Sequence, residues 1–254
     1  MISEGETTLD GIRDIRVYQN SSGYRFSVDA LLLYSFVKVR QVSRIADLGT
    51  GSGIIGLLLA RKYANATVLL VELQKSLYRL AEKNIRLNGL EDRVQAVCAD
   101  IKEIKKAEPQ MSFDLVVSNP PFRKPTSGRL SEGEEKAVAR HELRLTFSEL
   151  AEAASHLLKP RGRFALIFHP ERLPEVVDTL RNNRLEPKRI RFVHNDSNAV
   201  SKIVLIEAVK DGLPNLKVES PLFLYSKSGK YTAEVNEMYK GEIQDKAVDR
   251  GSFA

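Results

Sequence analysis

The stretch RIADLGTGSGIIG, residues 44–56, decides how this chain reads. A short apolar run ends in Asp47 and Leu48. Glycines follow at 49, 51, 53 and 56, and the apolar run IIGLLLARKY begins at 54. Strand, glycine turn, helix is the order of a ligand-binding corner in a parallel α/β sheet, and Gly51, Gly53 and Gly56 fit the G-x-G-x-x-G spacing. Glycine adopts positive φ without penalty and lets backbone approach a ligand closely.

The same alternation extends outward. TVLLVE (67–72) reads as a strand, QKSLYRLAEKNIRLNG (74–89) as a helix with an Asn-Gly stop, and RVQAVCAD (93–100) and FDLVVSNPPF (113–122) as strands. LTFSELAEAASHLLK (145–159) reads as a helix, and RFALIFH (163–169), RIRFVH (189–194) and KIVLIEAVK (202–210) as strands. Upstream, IRVYQNSSGYRF (15–26) predicts two short strands around an Asn-Ser-Ser-Gly turn, and Ser27 caps a helix over 27–39. Strands alternating with helices predict a mostly parallel sheet with helices on both faces. Right-handed crossovers bring parallel strand ends to one edge, and ligands bind beyond their carboxyl ends. Those ends carry Asp47, Glu72, Asp100 and Asn119.

The chain has 254 residues, 43% hydrophobic and 28% charged, which excludes general disorder. No apolar run approaches the roughly 20 residues of a membrane span, and the polar start MISEGETTLDGIRD has no signal-peptide core. One cysteine, Cys98, rules out an internal disulfide and points to a reducing, cytoplasmic setting. Four histidines and that cysteine are too scattered for a metal site. The net charge is +6, and residues 159–191 carry nine Lys/Arg against four acids. Such a segment predicts a positive face that attracts polyanions.

The glycine turn with Glu72 after the next strand suits a dinucleotide, with Glu72 on the ribose hydroxyls. Asp47 argues for another ligand. A carboxylate at the turn repels a pyrophosphate but tolerates the sulfonium and ammonium of S-adenosylmethionine. Asp100 then accepts from the adenine amine, with Ile101 flanking the ring; a plain loop cap is the other reading of Asp100. Asn119-Pro120-Pro121-Phe122 stays extended, because proline disfavours helix at the residue before it. The Asn119 side-chain oxygen and the Pro120 carbonyl offer two acceptors to one planar NH2. Phe122 offers a stacking face for a flat base. Fixed acceptors stabilise the positive charge that arrives on nitrogen during methyl transfer.

These pieces resemble the class I S-adenosylmethionine-dependent methyltransferases with an Asn-Pro-Pro-aromatic motif. More narrowly, the chain resembles the bacterial tRNA1(Val) adenine-37 N6-methyltransferase family, through GYRFSVDALLL (23–33), DLGTGSGIIGLLLA (47–60), VEL (71–73), CAD (98–100), SNPPF (118–122), ARHE (139–142) and SGKYT (228–232). The resemblance implies a Rossmann-like, seven-stranded sheet with its last strand antiparallel and a short N-terminal extension. Residues 1–40 would pack on a methyltransferase domain at 41–240, with a tail at 241–254. It implies Phe26, Ser27 and Asp29 near the cofactor or substrate mouth, and Asp47, Gly49, Gly51 and Gly53 around the methionine part. Glu72 and Leu73 would hold the ribose side, and Asp100 and Ile101 the adenine. Pro121, Phe122, Arg123, Lys124 and Arg129 would meet tRNA, and residues 123–144, which lack apolar periodicity in their first half, read either as a lid over the site that orders on RNA binding or as a plain surface loop. Tyr231 reads as a packing residue of a C-terminal helix. Methylation of an rRNA base or a protein glutamine, an NAD(P) oxidoreductase and a non-catalytic RNA-binding protein remain the alternatives.

Overall fold

A computed structural model describes residues 7–20, 28–120 and 145–240. The central sheet is built from β3 (Arg44–Leu48), β4 (Thr67–Glu72), β5 (Val94–Cys98), β6 (Phe113–Ser118), β7 (Leu158–Phe168), β8 (Leu185–His194) and β9 (Ser201–Lys210). Two further strands, β10 (Lys217–Val218) and β11 (Leu222–Phe223), pair along the outside of β8, so among the described residues the sheet has nine strands rather than seven. The seven long strands run in the order β8-β9-β7-β6-β3-β4-β5. Only β9 is antiparallel to its neighbours among the long strands.

Alternation along each strand explains the two-sided core. Ile45, Val68, Leu70, Leu115 and Val117 face one apolar layer, and Ala46, Leu48, Leu69, Val71 and Val116 face the other. The first layer takes α1 (Val28–Phe36), α2 (Ile54–Lys62), α3 (Lys75–Leu87) and α7 (Ala233–Tyr239). The second takes α4 (Ile104–Ala107), α5 (Phe147–Leu157) and α6 (Leu173–Asn182). Sequence reading missed α6, a four-turn-or-shorter amphipathic helix with only Val176 and Leu180 buried. α5 begins at a capping box, Thr146 with Glu149.

The structure shows a hairpin upstream of the expected Asn-Ser-Ser-Gly turn. Its strands are β1 (Thr7–Ile12) and β2 (Ile15–Asn20), joined at Arg13-Asp14, with Arg13 at φ 54°. Asn20 closes the second strand, and residues 21–27 lie outside the described residues. Two asparagines one helical turn apart on α3 attach this hairpin to the core. Asn88 Oδ1 accepts from Arg16 N at 2.9 Å, and its Nδ2 donates to Arg16 O at 2.7 Å. Asn84 Oδ1 accepts from Tyr18 N at 2.7 Å, and its Nδ2 donates to Tyr18 O at 3.1 Å. Two side-chain amides thus continue the β2 ladder. Asn84 Nδ2 also donates to Ser52 O at 2.9 Å, joining the hairpin to the glycine turn.

Close packing fixes the last glycine of the turn. A Cβ at Gly56 would lie 2.1 Å from Leu70 Cδ2, and Leu70 is fully buried. Gly56→Ala gains about 1 kcal/mol of helix propensity but overpacks the core by roughly 1–3 kcal/mol. The expected result is a lower melting temperature, with Gly56→Ala/Leu70→Val more stable than the sum of the single changes. Additive melting temperatures would contradict this contact.

Candidate active site

The carboxyl ends of β3, β4, β5 and β6 line up. Leu48 lies opposite Val71, Glu72 opposite Cys98, and Asp47 opposite Val117. Gly49 N and Thr50 N donate to Val71 O at 2.9 and 3.0 Å, folding the glycine turn over the end of β4. Gly49, Gly51 and Gly53 have φ of 74°, 61° and 90°, a region that strains any residue with a Cβ.

Asp47 is fully buried, and it has a structural task. Its Oδ2 accepts from Gly56 N at 3.0 Å, a first-turn donor of α2, and from Thr50 Oγ1 at 2.6 Å. It therefore caps the helix from the neighbouring strand. Its other oxygen, Oδ1, is buried with no hydrogen-bond partner. Burial pushes the Asp47 carboxyl up to about 6 from an ordinary 3.8, against the Thr50 and Gly56 bonds and helped by the charge of Glu72. An acid that binds its proton more tightly when folded makes stability fall as pH rises from about 4 to about 6, after which the loss is constant. That loss is about 3 kcal/mol. Without added cofactor, Asp47→Asn is therefore expected to gain stability over the wild type as pH rises through this window. Parallel stability curves for the two proteins between pH 4 and 7 would contradict it.

Glu72 is also buried and holds two turns. Its Oε2 accepts from Gly51 N at 2.9 Å and its Oε1 from Gln74 N at 2.8 Å, at the start of α3. A carboxylate has about four acceptor sites, so each oxygen keeps capacity for a further donor. Leu73, next along, is exposed. Asp100 caps a 3₁₀ turn at 101–103: its Oδ1 accepts from Lys102 N at 3.0 Å, and its Oδ2 lies 3.7 Å from Lys102 Nζ. Ile101 is buried, with Cδ1 4.0 Å from where a Gly49 Cβ would stand. Ile101 therefore reaches the glycine turn.

At the end of β6, Ser118 Oγ donates to Leu48 O at 2.7 Å. This buried bond ties the start of Asn119-Pro120 to the strand that enters the glycine turn. Asn119 and Pro120 are half-buried, and Asp29 is half-buried on the first turn of α1. Phe26, Ser27, Pro121, Phe122, Arg123, Lys124 and Arg129 lie outside the described residues, as do the 123–144 loop and the 241–254 tail.

Sequence reasoning passed over Thr50, Ser118 and Asn84. Ser118 interrupts the apolar run FDLVV, and Asn84 sits in the buried stripe of α3 between Leu80, Ala81 and Ile85. A polar residue inside an apolar pattern was the available signal in both cases.

The basic stretch 159–191 is a correction. Lys159 pairs with Asp114, Arg163 with Glu207, Arg172 with Glu175, Arg181 with Glu186 and Arg184 with Asp211. Arg189 pairs with Glu207 and Glu219, Arg191 with Glu234, and Lys188 donates to Leu213 O. Lys159, Arg161, Arg163, Arg184 and Lys188 lie at or near the amino ends of β7 and β8, away from Asn119. The stretch is a set of largely neutralised ion pairs, not a positive face at the site.

The donor set suits S-adenosylmethionine: a buried carboxylate oxygen with no partner among the described residues, for a cationic ligand, and a second carboxylate with spare acceptor sites for a diol. Fold and site together define a class I S-adenosylmethionine-dependent methyltransferase. The family described as methyltransferase small domain matches residues 24–180, and the chain belongs to it. A tRNA1(Val) (adenine(37)-N6)-methyltransferase of Bacteroides fragilis is 26% identical over 229 residues, 89% of this chain and 95% of that protein. One of Tolumonas auensis is 31% identical over 166 residues, 65% of this chain and 68% of that protein. A crystal structure of a predicted O-methyltransferase from Agrobacterium tumefaciens has a TM-score of 0.68 at 22% identity, covering 85% of this chain and 99% of that one. The T. thermophilus 16S rRNA N2 G1207 methyltransferase, solved with AdoMet and guanosine, has a TM-score of 0.55 at 22% identity, covering 81% and 50%. At such identities these two likenesses speak to the fold. The oxidoreductase reading of the glycine turn falls with the family. Among the described residues no helix is long and apolar enough to cross a membrane, and no cluster of metal-ligating side chains occurs.

Proposed function

We propose that this chain methylates N6 of an adenine in tRNA, at position 37 of tRNA1(Val), in the cytoplasm. The observation that carries the reading is the Ser118–Leu48 bond, which supports a fixed place for Asn119-Pro120 beside the glycine turn. The names of the relatives that match most of the chain favour tRNA adenine over other planar amines.

Asp47, Gly49, Gly51 and Gly53 would surround the methionine part, Glu72 would accept from the ribose hydroxyls with Leu73 beside it, and Asp100 and Ile101 would meet the adenine. S-adenosylmethionine supplies an electrophilic methyl group. The Asn119 side-chain oxygen and the Pro120 carbonyl oxygen would accept from the two hydrogens of the target amine. That grip holds the nitrogen lone pair toward the methyl group and stabilises the charge that develops there. The methylated nitrogen is acidic and gives its surplus proton to water. Pro121 and Phe122 would support and stack the target base, and Arg123, Lys124 and Arg129 would hold the RNA backbone.

The test is mass spectrometry of tRNA nucleosides from cells with and without the protein, followed by incubation of the purified chain with total tRNA, rRNA and protein. Loss of one N6-methyladenosine from one tRNA, restored in vitro, is expected. Methylguanosine or methylglutamine as the product would replace this reading.

A further inference from the structure

The motif SGKYT at 228–232 takes no part in the chemistry above, yet the fold brings it to the same sheet edge. β11 runs parallel to β8, with Phe223 opposite His194. β8 and β7 both run antiparallel to β9, and β7 is parallel to β6. Chain leaving β11 therefore emerges on the side where β6 delivers Asn119. Three strand spacings separate β8 from β6, about 14 Å.

There Tyr225 and Tyr231 bridge across a tight loop. Ser226 N donates to Lys230 O at 2.8 Å, Gly229 N donates to Ser226 O at 2.9 Å, and Gly229 has φ 74°. Ser226 Oγ donates to Lys230 O at 3.0 Å, which stiffens the loop further. The Tyr225 and Tyr231 rings stack at 5.1 Å and 15°, and Tyr231 and Tyr239 at 5.6 Å and 24°. Tyr231 and Tyr239 back onto the core, so the sequence's assignment of Tyr231 to packing holds, although it precedes α7 rather than lying in it. Tyr225 ends the ladder and is 38% exposed. Lys227 and Lys230 are exposed in the loop between the two tyrosines, and Lys202 is exposed at the start of β9, beside the end of β8; none has an ion-pair partner among the described residues. The nearby acids are engaged: Asp196 Oδ1 accepts from Asn198 N, Glu234 pairs with Arg191, and Glu237 with Lys240.

We propose that this ladder and its lysines form a docking surface for single-stranded RNA, where an unpaired base of the substrate stacks on Tyr225 while Lys202, Lys227 and Lys230 meet phosphates. The inference rests on the tRNA reading above. A ring held rigid by its neighbours loses little entropy on stacking a base, and unpaired cations beside it fit a phosphate backbone rather than an apolar partner. With the 159–191 stretch ion-paired, this edge offers, among the described residues, a cationic surface on the side of Asn119.

The chain has no tryptophan, so Tyr225→Trp introduces a single tryptophan, excited selectively over the tyrosines, at the end of the ladder. Its emission is expected to be quenched by unmodified tRNA and by an unstructured RNA oligonucleotide, and left unchanged by inorganic polyphosphate. In steady-state assays Tyr225→Ala is expected to raise the KM for tRNA roughly 5- to 100-fold, with kcat and cofactor affinity within about two-fold. Tyr225→Phe, which keeps the ring, should restore the KM. Lys227→Glu/Lys230→Glu should lower the salt slope of RNA binding by about 2. Equal quenching by polyphosphate, or an unchanged tRNA KM in a folded Tyr225→Ala protein that still methylates tRNA, would overturn the docking surface. Quenching by RNA without methylation of any tRNA would instead overturn the assigned reaction and leave the surface standing.

Discussion

Asn119→Ala is expected to cut kcat by ~10²–10³-fold while the S-adenosylmethionine Kd stays within about three-fold, because the lost oxygen acts where charge develops and not where the cofactor is held. An exocyclic adenine amine is a weak nucleophile, since its lone pair is delocalised into the ring. Two fixed acceptors on its hydrogens counter that delocalisation, and removing one leaves the amine free to rotate back into plane. Fold damage is not the expected cause. Asn119 is half-buried, and the anchor of the segment is the neighbouring Ser118 bond to Leu48 O at 2.7 Å. Single-turnover rates at saturating tRNA and cofactor measure the step directly, and calorimetry gives the affinity. A variant that turns over at the wild-type rate would remove Asn119 from the chemistry.

Glu72→Ala should show the opposite pattern. The carboxylate holds Gly51 N and Gln74 N, so its loss loosens the glycine turn and the start of α3 together. It also removes the proposed acceptor for the ribose hydroxyls. Hydrogen bonds to a charged group are worth about 1.5–3 kcal/mol each, which predicts a cofactor Kd raised by ~10²–10³-fold. Glu72→Gln keeps an acceptor and should fall between. At saturating cofactor the loss in kcat should be much smaller than for Asn119→Ala. Wild-type affinity in a folded Glu72→Ala protein would refute the ribose role.

Much of this architecture was legible before any coordinates. β4 is an unbroken apolar run closed by Glu72, and β3, β6 and β9 are apolar runs broken by single acids, Asp47, Asp114 and Glu207, so their strands follow from local pattern alone. Asp100 shows the limit of such reading. Both of its expected uses, capping and ligand binding, call for an acid after a strand, and the structure supplies the cap at Lys102 N. The strand expected from residue 15 is β2, while β1 and the Arg13-Asp14 turn escaped the reading because that turn has no glycine and an arginine takes the positive φ. α6 was missed because only two of its residues are buried, too few to mark a helical period.

The sequence by itself determined the alternating α/β order, the glycine turn and the four polar strand ends, because each depends on residues adjacent in the chain. Only the tertiary structure decided what the charges and amides do. The cations of 159–191 meet Glu207, Asp211, Glu219 and Glu234, Asn84 joins the hairpin to the glycine turn, and SGKYT arrives on the edge of Asn119. Electrostatic and hydrogen-bond partners are chosen by distance in space, which falls off within a few ångströms. Chain order carries no record of which distant residues the sheet will bring that close.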